Sequence, residues 1–387
     1  MSTNNSPAAV VGVGNSDYGR ETGKTALQLH FDAAQAALDD CGLGWADVDG
    51  LFSCSVSPAL HGLQLSEYLG IRPRYTDTTS LGGGTWEMYV EHACAALREG
   101  LCDVALLVYG SAQRTEFGSK LGTGFRARGI GPAQYYAPYG LTIVAAYALA
   151  AQRHMAVYGT TSEQLAEIAV AVRKNAGRNP GAMYRDPITV DDVMNSRVIS
   201  TPLHLLDCCV VSDGGGAVVI TTADRARDMR RSPVWIKGAA SGVSHDSVIQ
   251  MDDLATLDAG VRSSTAAFQQ AGIRPEDIEL CQLYDSYTIT VLLTLEALGF
   301  CKPGEGGDFV SDGRLAYDGA LPTNTDGGGL SSNHPGMRGV FLLIEAVRQL
   351  RGDDLPWRLE RRPSLALCHG TGGQLSACGT VIMGVDQ

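Results

Sequence analysis

A chain of 387 residues is longer than a single hydrophobic core usually supports, so two packed units or one duplicated unit is the first expectation. With 44% apolar and 19% charged residues it has the composition of an ordinary globular protein. Its net charge of -12 is spread thinly along the sequence, which argues against nucleic acid or an anionic membrane as the main partner.

Met1 to Pro7 is polar and lacks the basic segment and apolar run of a secretory signal, and no stretch approaches the roughly 20 apolar residues of a membrane span. Gly12-Val13-Gly14 lacks the spacing and downstream acid of a dinucleotide fingerprint and reads as a strand-end turn. From Ala33 an amphipathic helix runs to Asp40-Cys41-Gly42, followed by the acidic turn Trp45 to Asp49 and the strand Gly50-Leu51-Phe52. Gly82-Gly83-Gly84 opens a second helix through His92 and Leu97 to Gly100, and Val104 to Gly110 is a buried strand. Between Ser111 and Ser200 lies a long insertion with Arg114, Lys120, Arg126 and Arg128, the tyrosines Tyr135, Tyr136 and Tyr139, and a helix around Thr160 to Asn175. Insertions of this length on an α/β scaffold usually cap a site. Gly215 to Ile220 closes the first half as an apolar strand.

The same order then returns. Ala266-Ala267-Phe268 leads to Ala271-Gly272-Ile273, the turn Pro275-Glu276-Asp277-Ile278 and the strand Leu280 to Leu283. Gly336 opens a helix to Gly352, Leu365-Ala366-Leu367 is a strand ending at His369-Gly370, and Gly379 to Gly384 closes the second half. Repetition of helix and strand in this order implies a duplication, with halves at 1–230 and 231–387 and the insertion at about 112–200 of the first. The ten cysteines, Cys94, Cys102 and Cys281 among them, fall inside apolar patterns without zinc-ribbon spacing and read as reduced, buried thiols of a cytoplasmic protein. His30, His92 and His154 have no metal-ligand motif beside them, so no metal site is expected.

Asp207-Cys208-Cys209, Ser212-Asp213-Gly214-Gly215-Gly216-Ala217, Leu295-Glu296-Ala297-Leu298-Gly299-Phe300 and Gly328-Gly329-Leu330-Ser331-Ser332-Asn333-His334-Pro335 together resemble the thiolase superfamily. The nearest branch is that of the sterol-carrier-protein-type thiolases and bacterial steroid side-chain aldolases. The resemblance covers nearly the whole chain and implies two βαβαβαββ halves in a five-layer αβαβα arrangement, with a loop domain inserted in the first half, assembled at least as a dimer.

A thiolase carries a nucleophilic cysteine at the start of the first-half helix, where the helix N-terminus favours a thiolate. By the resemblance that position falls on Leu81, which cannot attack a thioester, and nothing in the sequence supplies the neighbouring Ser80 with a base. His334 matches the histidine of the Gly-His-Pro motif, whose implied role is to contact the thioester oxygen. Known aldolases of the branch carry a second tyrosine near this position, where this chain reads Ser332-Asn333-His334. Tyr284-Asp285-Ser286-Tyr287 stands where thiolases have Asn-Glu-Ala-Phe or His-Glu-Ala-Phe and where the aldolases have a Tyr-Asp pair. Tyr284 is the candidate base, Asp285 either orients it or ties down backbone amides, and Leu81 and Tyr287 line the substrate. Cys368-His369-Gly370 falls at the final Cys-x-Gly motif, so Cys368 or His369 is the candidate acid for the α-carbon and the Gly370 amide a candidate oxyanion donor.

The resemblance implies a lyase that cleaves a β-hydroxyacyl-CoA with a bulky, steroid-like side chain by a retro-aldol reaction and releases a short acyl-CoA. No tightly bound cofactor is expected, CoA arriving as part of the substrate. Members of the branch work with a small protein bearing a zinc ribbon and an OB fold. The alternatives are a thiolase or acyltransferase acting on a β-ketoacyl-CoA, and a non-catalytic subunit of an acyl-CoA complex.

Overall fold

Among the described residues, nine strands form one mixed sheet: β1 (Ala8–Asn15), β2 (Gly50–Phe52), β3 (Tyr75–Asp77), β4 (Val104–Ser111), β5 (Gly214–Thr222), β6 (Val234–Val243), β7 (Leu280–Leu283), β8 (Leu365–Gly372) and β9 (Ala377–Gly384). The computed structural model describes residues 8–55, 60–118 and 133–385, so Lys120, Arg126 and Arg128 lie outside the described residues. The strand order is β3-β2-β4-β5-β1-β6-β9-β8-β7.

That order contains itself twice. In the first half β3, β2 and β4 are parallel, and β5 pairs antiparallel with both β4 and β1. In the second half β7 and β8 are parallel, and β9 pairs antiparallel with both β8 and β6. A parallel bridge from Cys281 to Thr323 stands where the first half has β3. The halves meet where β1 pairs with β6, at Ala9 with Trp235 and Val10 with Val234.

The main helices are α1 (Ala26–Cys41), α2 (His61–Leu69), α3 (Thr85–Arg98), α4 (Ile143–Tyr158), α5 (Ser162–Ala176), α6 (Asp258–Ala271), α7 (Thr288–Ala297) and α8 (Gly339–Arg351). Thr25 and Gln28 close a capping box on α1, and Gly42 ends that helix in the left-handed conformation at φ 77°, as Gly272 ends α6 at φ 66°. Helix α1 packs outside β1, β4 and β5, and α6 outside β6 and β9. The other pair, α3 and α8, touch each other and contact strands of both halves. They form the middle layer of the expected αβαβα arrangement.

One apolar core fills the space around this middle layer, and each half has a second core under its outer helices. The insertion supplies α4 and α5, whose Val144, Tyr147, Leu165 and Ile168 join the outer core of the second half with Tyr287 and Leu292. A first-half insertion therefore covers second-half residues. Among the described residues no helix is long and apolar enough to cross a membrane.

Candidate active site

Side chains alternate along β7, so Leu280 and Tyr284 face the middle layer while Cys281 and Leu283 face the outer core. The backbone N–H of Tyr284 donates to the carbonyl of His369 at 2.9 Å, which holds the tyrosine at the end of the sheet. Its ring lies on Gly83. A Cβ at that position would stand 2.3 Å from Cε2 and Cζ and 2.4 Å from the hydroxyl oxygen, so only glycine permits this approach.

Tyr284 and His334 meet here. The phenol oxygen is 2.9 Å from His334 Nε2, with the rings edge to face at 5.6 Å between centroids. His334 arrives on the turn Gly328–Ser332, opened by Gly327 at φ 100° and Gly328 at φ 59°. The His334 N–H donates to Ser212 Oγ at 3.0 Å, and the Ser212 N–H donates to the His334 carbonyl at 3.3 Å. Asp285 accepts the N–H groups of Gly329 at 2.7 Å and Leu330 at 3.1 Å. Of the two roles open to it, the geometry gives it the tying of backbone amides.

The electrostatics hold both partners neutral. Burial raises the Tyr284 phenol well above its ordinary value. Burial, and then the positive charge of Arg338, lower His334 to about 4. At neutral pH the imidazole is therefore uncharged, and its Nε2 is open to accept a hydrogen bond from the phenol. Burial raises Asp285 to about 6, against the pull of Arg338 and its two amide donors.

Two glycine strings from opposite halves touch beside this pair. A Cβ on Gly372 would stand 1.7 Å from the Leu81 carbonyl, one on Gly84 2.7 Å from the Gly370 carbonyl group, and one on Gly82 2.8 Å from the Gly373 nitrogen. Leu81 N–H donates to Thr85 Oγ1, and its side chain packs on the middle core. Among the described residues, the N–H groups of Gly83 and Gly84 donate to no acceptor. They are orphan donors at the positive end of α3. Tyr287 packs against Tyr147 of α4, the rings tilted by 40° with centroids 4.5 Å apart, and the Tyr147 hydroxyl donates to the Gly373 carbonyl at 3.3 Å.

Several expectations are corrected. His369 turns away from the site: alternation on β8 sends its ring to the outer layer, where Nδ1 meets Thr380 Oγ1 at 2.9 Å and Thr380 in turn meets Ser263 of α6. Cys368 faces the middle layer but lies deep, its thiol donating to the Leu342 carbonyl and raised far above its ordinary value by burial. The residue of this face beside Leu81 is Gly372. The Gly370 amide is committed to the sheet. The carbonyls of Leu365 and His369 accept from Glu279 and Tyr284 on the β7 side, so the backbone groups of Gly370 point to Gly379 on β9. Nor is His334 Nε2 a free oxyanion donor, being occupied by Tyr284.

Sequence reasoning passed over Gly83, Ser212, Arg338 and Tyr147. The triple glycine at 82–84 and the Ser212-Asp213-Gly214 string were visible signals for two of them.

Residues 240–385 match the family model described as "Thiolase C-terminal domain-like". The chain is 38% identical to the steroid side-chain-cleaving aldolase of Thermomonospora curvata, over 89% of this chain and 90% of that protein. It is 37% identical to the 17-hydroxy-3-oxo-4-pregnene-20-carboxyl-CoA lyase of Mycobacterium tuberculosis, over 89% of this chain and 92% of that one. The solved structure of the Ltp2-ChsH2(DUF35) aldolase superposes with a TM-score of 0.89 at 34% identity, covering 98% of both chains.

Proposed function

This chain belongs to the thiolase superfamily, and from that premise we propose that it is a carbon–carbon lyase of the steroid side-chain aldolase type. The substrate is a β-hydroxyacyl-CoA with a bulky, steroid-like side chain. The observation that carries the reading is the 2.9 Å Tyr284–His334 contact at the start of α3, beside a leucine where a thiolase needs its cysteine.

In the cleavage step the β-hydroxyl proton passes to the Tyr284 oxygen as the phenol gives its own proton to His334 Nε2. The Cα–Cβ bond breaks, a carbonyl forms at Cβ, and the electron pair moves into the thioester as an enolate. The orphan amides of Gly83 and Gly84 supply donors for the enolate oxygen. The buried imidazolium, disfavoured beside Arg338, returns its proton through Tyr284 to Cα and releases the short acyl-CoA. A lasting phenolate is never formed, and what the relay must overcome instead is the imidazolium that burial and Arg338 disfavour. Neither Cys368 nor His369 takes part. The sequence of steps consumes no oxidant or reductant, so CoA within the substrate is the only cofactor it asks for.

A homodimer and a small partner with a zinc ribbon and an OB fold complete the proposed assembly; the Ltp2-ChsH2(DUF35) aldolase, with its DUF35 component, supports the latter. A reducing, cytoplasmic setting accords with ten unpaired thiols. Incubation with panels of 3-hydroxyacyl-CoA and 3-ketoacyl-CoA esters, with and without the partner, tests the reading. Cleavage of the hydroxy esters is expected. Turnover confined to keto esters and dependent on free CoA would instead make the protein a thiolase, and turnover of neither with the partner present would make it a scaffold.

A further inference from the structure

Arg338 is not one of the reacting groups, yet it is hydrogen-bonded to the arm that carries His334 and forms an ion pair with the aspartate that follows Tyr284. Its side chain is fully buried. Nη2 donates to Asp326 Oδ1 at 2.7 Å and Oδ2 at 2.6 Å, and Nη1 donates to the Asn333 carbonyl at 2.9 Å and Oδ1 at 2.7 Å. Nε lies 3.8 Å from Asp285 Oδ1. Asn333 precedes His334, Asp285 follows Tyr284, and Asp326 accepts the N–H of Gly328 at the head of the turn between them. The rigid fork of a guanidinium suits this three-way junction, whereas an ammonium cannot reproduce it. Stability alone is a poor explanation, because desolvating three charges offsets much of their attraction.

We propose that Arg338 is the positioning residue of the site, fixing Asn333 against Asp285 and thereby setting the contact between Tyr284 and His334. The proposal rests on the reading of that contact as the proton-transfer pair. A second consequence follows from charge: the guanidinium opposes protonation of the imidazole, so it keeps His334 an acceptor. The groups facing Arg338 are Asp285, Asp326, Tyr18 and Cys209; those facing His334 are Tyr284 and Arg338 itself.

Three variants of the full chain separate geometry from charge: Arg338→Lys keeps the charge without the fork, Arg338→Gln removes the charge, and Asn333→Ala removes the side-chain oxygen that Nη1 holds while leaving the Asn333 carbonyl in place. Turnover of a 3-hydroxyacyl-CoA is measured against pH, and the His334 imidazole is titrated by NMR in histidine-labelled protein, a readout that needs no activity. Arg338→Lys is expected to lower kcat about 10-fold or more, with KM within about 3-fold and the acid limb in place. Arg338→Gln is expected to move the His334 titration to higher pH as well. Asn333→Ala should lower kcat by a smaller factor while leaving that titration unmoved, and it decides the matter if Arg338→Gln does not fold. Wild-type kcat in both Arg338→Lys and Asn333→Ala, or an unmoved His334 titration in folded Arg338→Gln, overturns the proposal. A wild-type protein that cleaves no hydroxy ester would defeat the lyase reading alone, since the titration still reports on Arg338.

Discussion

The two halves present matching sheet ends and finish them in opposite ways. Gly50 of β2 pairs with Ala105 of β4 as Leu280 of β7 pairs with Ala366 of β8, so counting forward sets Cys54 against Tyr284 and Tyr109 against Gly370. In the second half the glycines leave room for another backbone and for a phenol in contact with an imidazole. In the first half Tyr109 fills the corresponding space and its hydroxyl donates to the Pro335 carbonyl. Beneath it Ser53 Oγ meets His61 Nε2 at 2.8 Å, and His61 lies 5.2 Å from His30, which burial and then His61 lower to about 3. The two platforms thus match in register but not in filling, and the one with small residues leaves the space that the proposed chemistry needs.

The sharpest way to break this contrast is to alter the second-half platform. Tyr284→Phe keeps the ring and loses the hydroxyl, so turnover should fall by about 100-fold or more with little change in melting temperature. Gly83→Ala should lose at least as much activity and stability besides, because the new methyl would stand 2.3 Å from the ring it must displace. Steady-state kinetics beside thermal melts separate the two effects. Full turnover in Tyr284→Phe would remove the proposed base. A loss of about 10-fold or more is expected for Gly372→Ala, whose methyl would collide with the Leu81 carbonyl and part the two glycine strings.

The same contrast explains what could be read from sequence. The duplication, the strands and the helix ends were legible because apolar runs, left-handed glycines and acidic turns are local signals. Tyr284 and His334 were legible as motif positions, but their contact spans 50 residues of sequence and depends on the turn at Gly328. His369 misled because a string of glycines does not say which residue of a strand faces which layer. That parity is set by register, here by the Tyr284–His369 backbone bond. Arg338 was silent because a charged residue near a helix start ordinarily reads as solvated, and only the fold buries it between two aspartates.

A smaller effect should come from the floor the halves share. Glu87 of α3 is fully buried with neither carboxyl oxygen hydrogen-bonded, against Gly370 of β8 and Gly339 of α8. Burial raises it to about 8, so it is protonated in the neutral-pH fold while its unfolded counterpart is ionised. The fold then binds one proton more than the unfolded chain between the two values, and stability must fall as pH rises through that window and level off above about 8. Glu87→Gln should flatten the slope, gaining a few kcal/mol over wild type at pH 9 and little at pH 4. Denaturant melts across pH measure this, and parallel curves for the two proteins would mean that Glu87 is not the buried acid described.

The least effect is expected in the first half, where Cys54 takes the place of Tyr284. Its thiol is buried and raised by desolvation, with Ser80, Thr85 and Tyr89 as its hydrogen-bonding neighbours. Cys54→Ala removes one buried sulfur, so a stability cost of about 1 kcal/mol is expected from the small cavity. Turnover should stay within about 2-fold, because nothing at this sheet end moves a proton in the proposed reaction. A large loss of activity at unchanged stability would show that the first platform also reaches the substrate, and the division of labour between the halves would then fail at its quieter end.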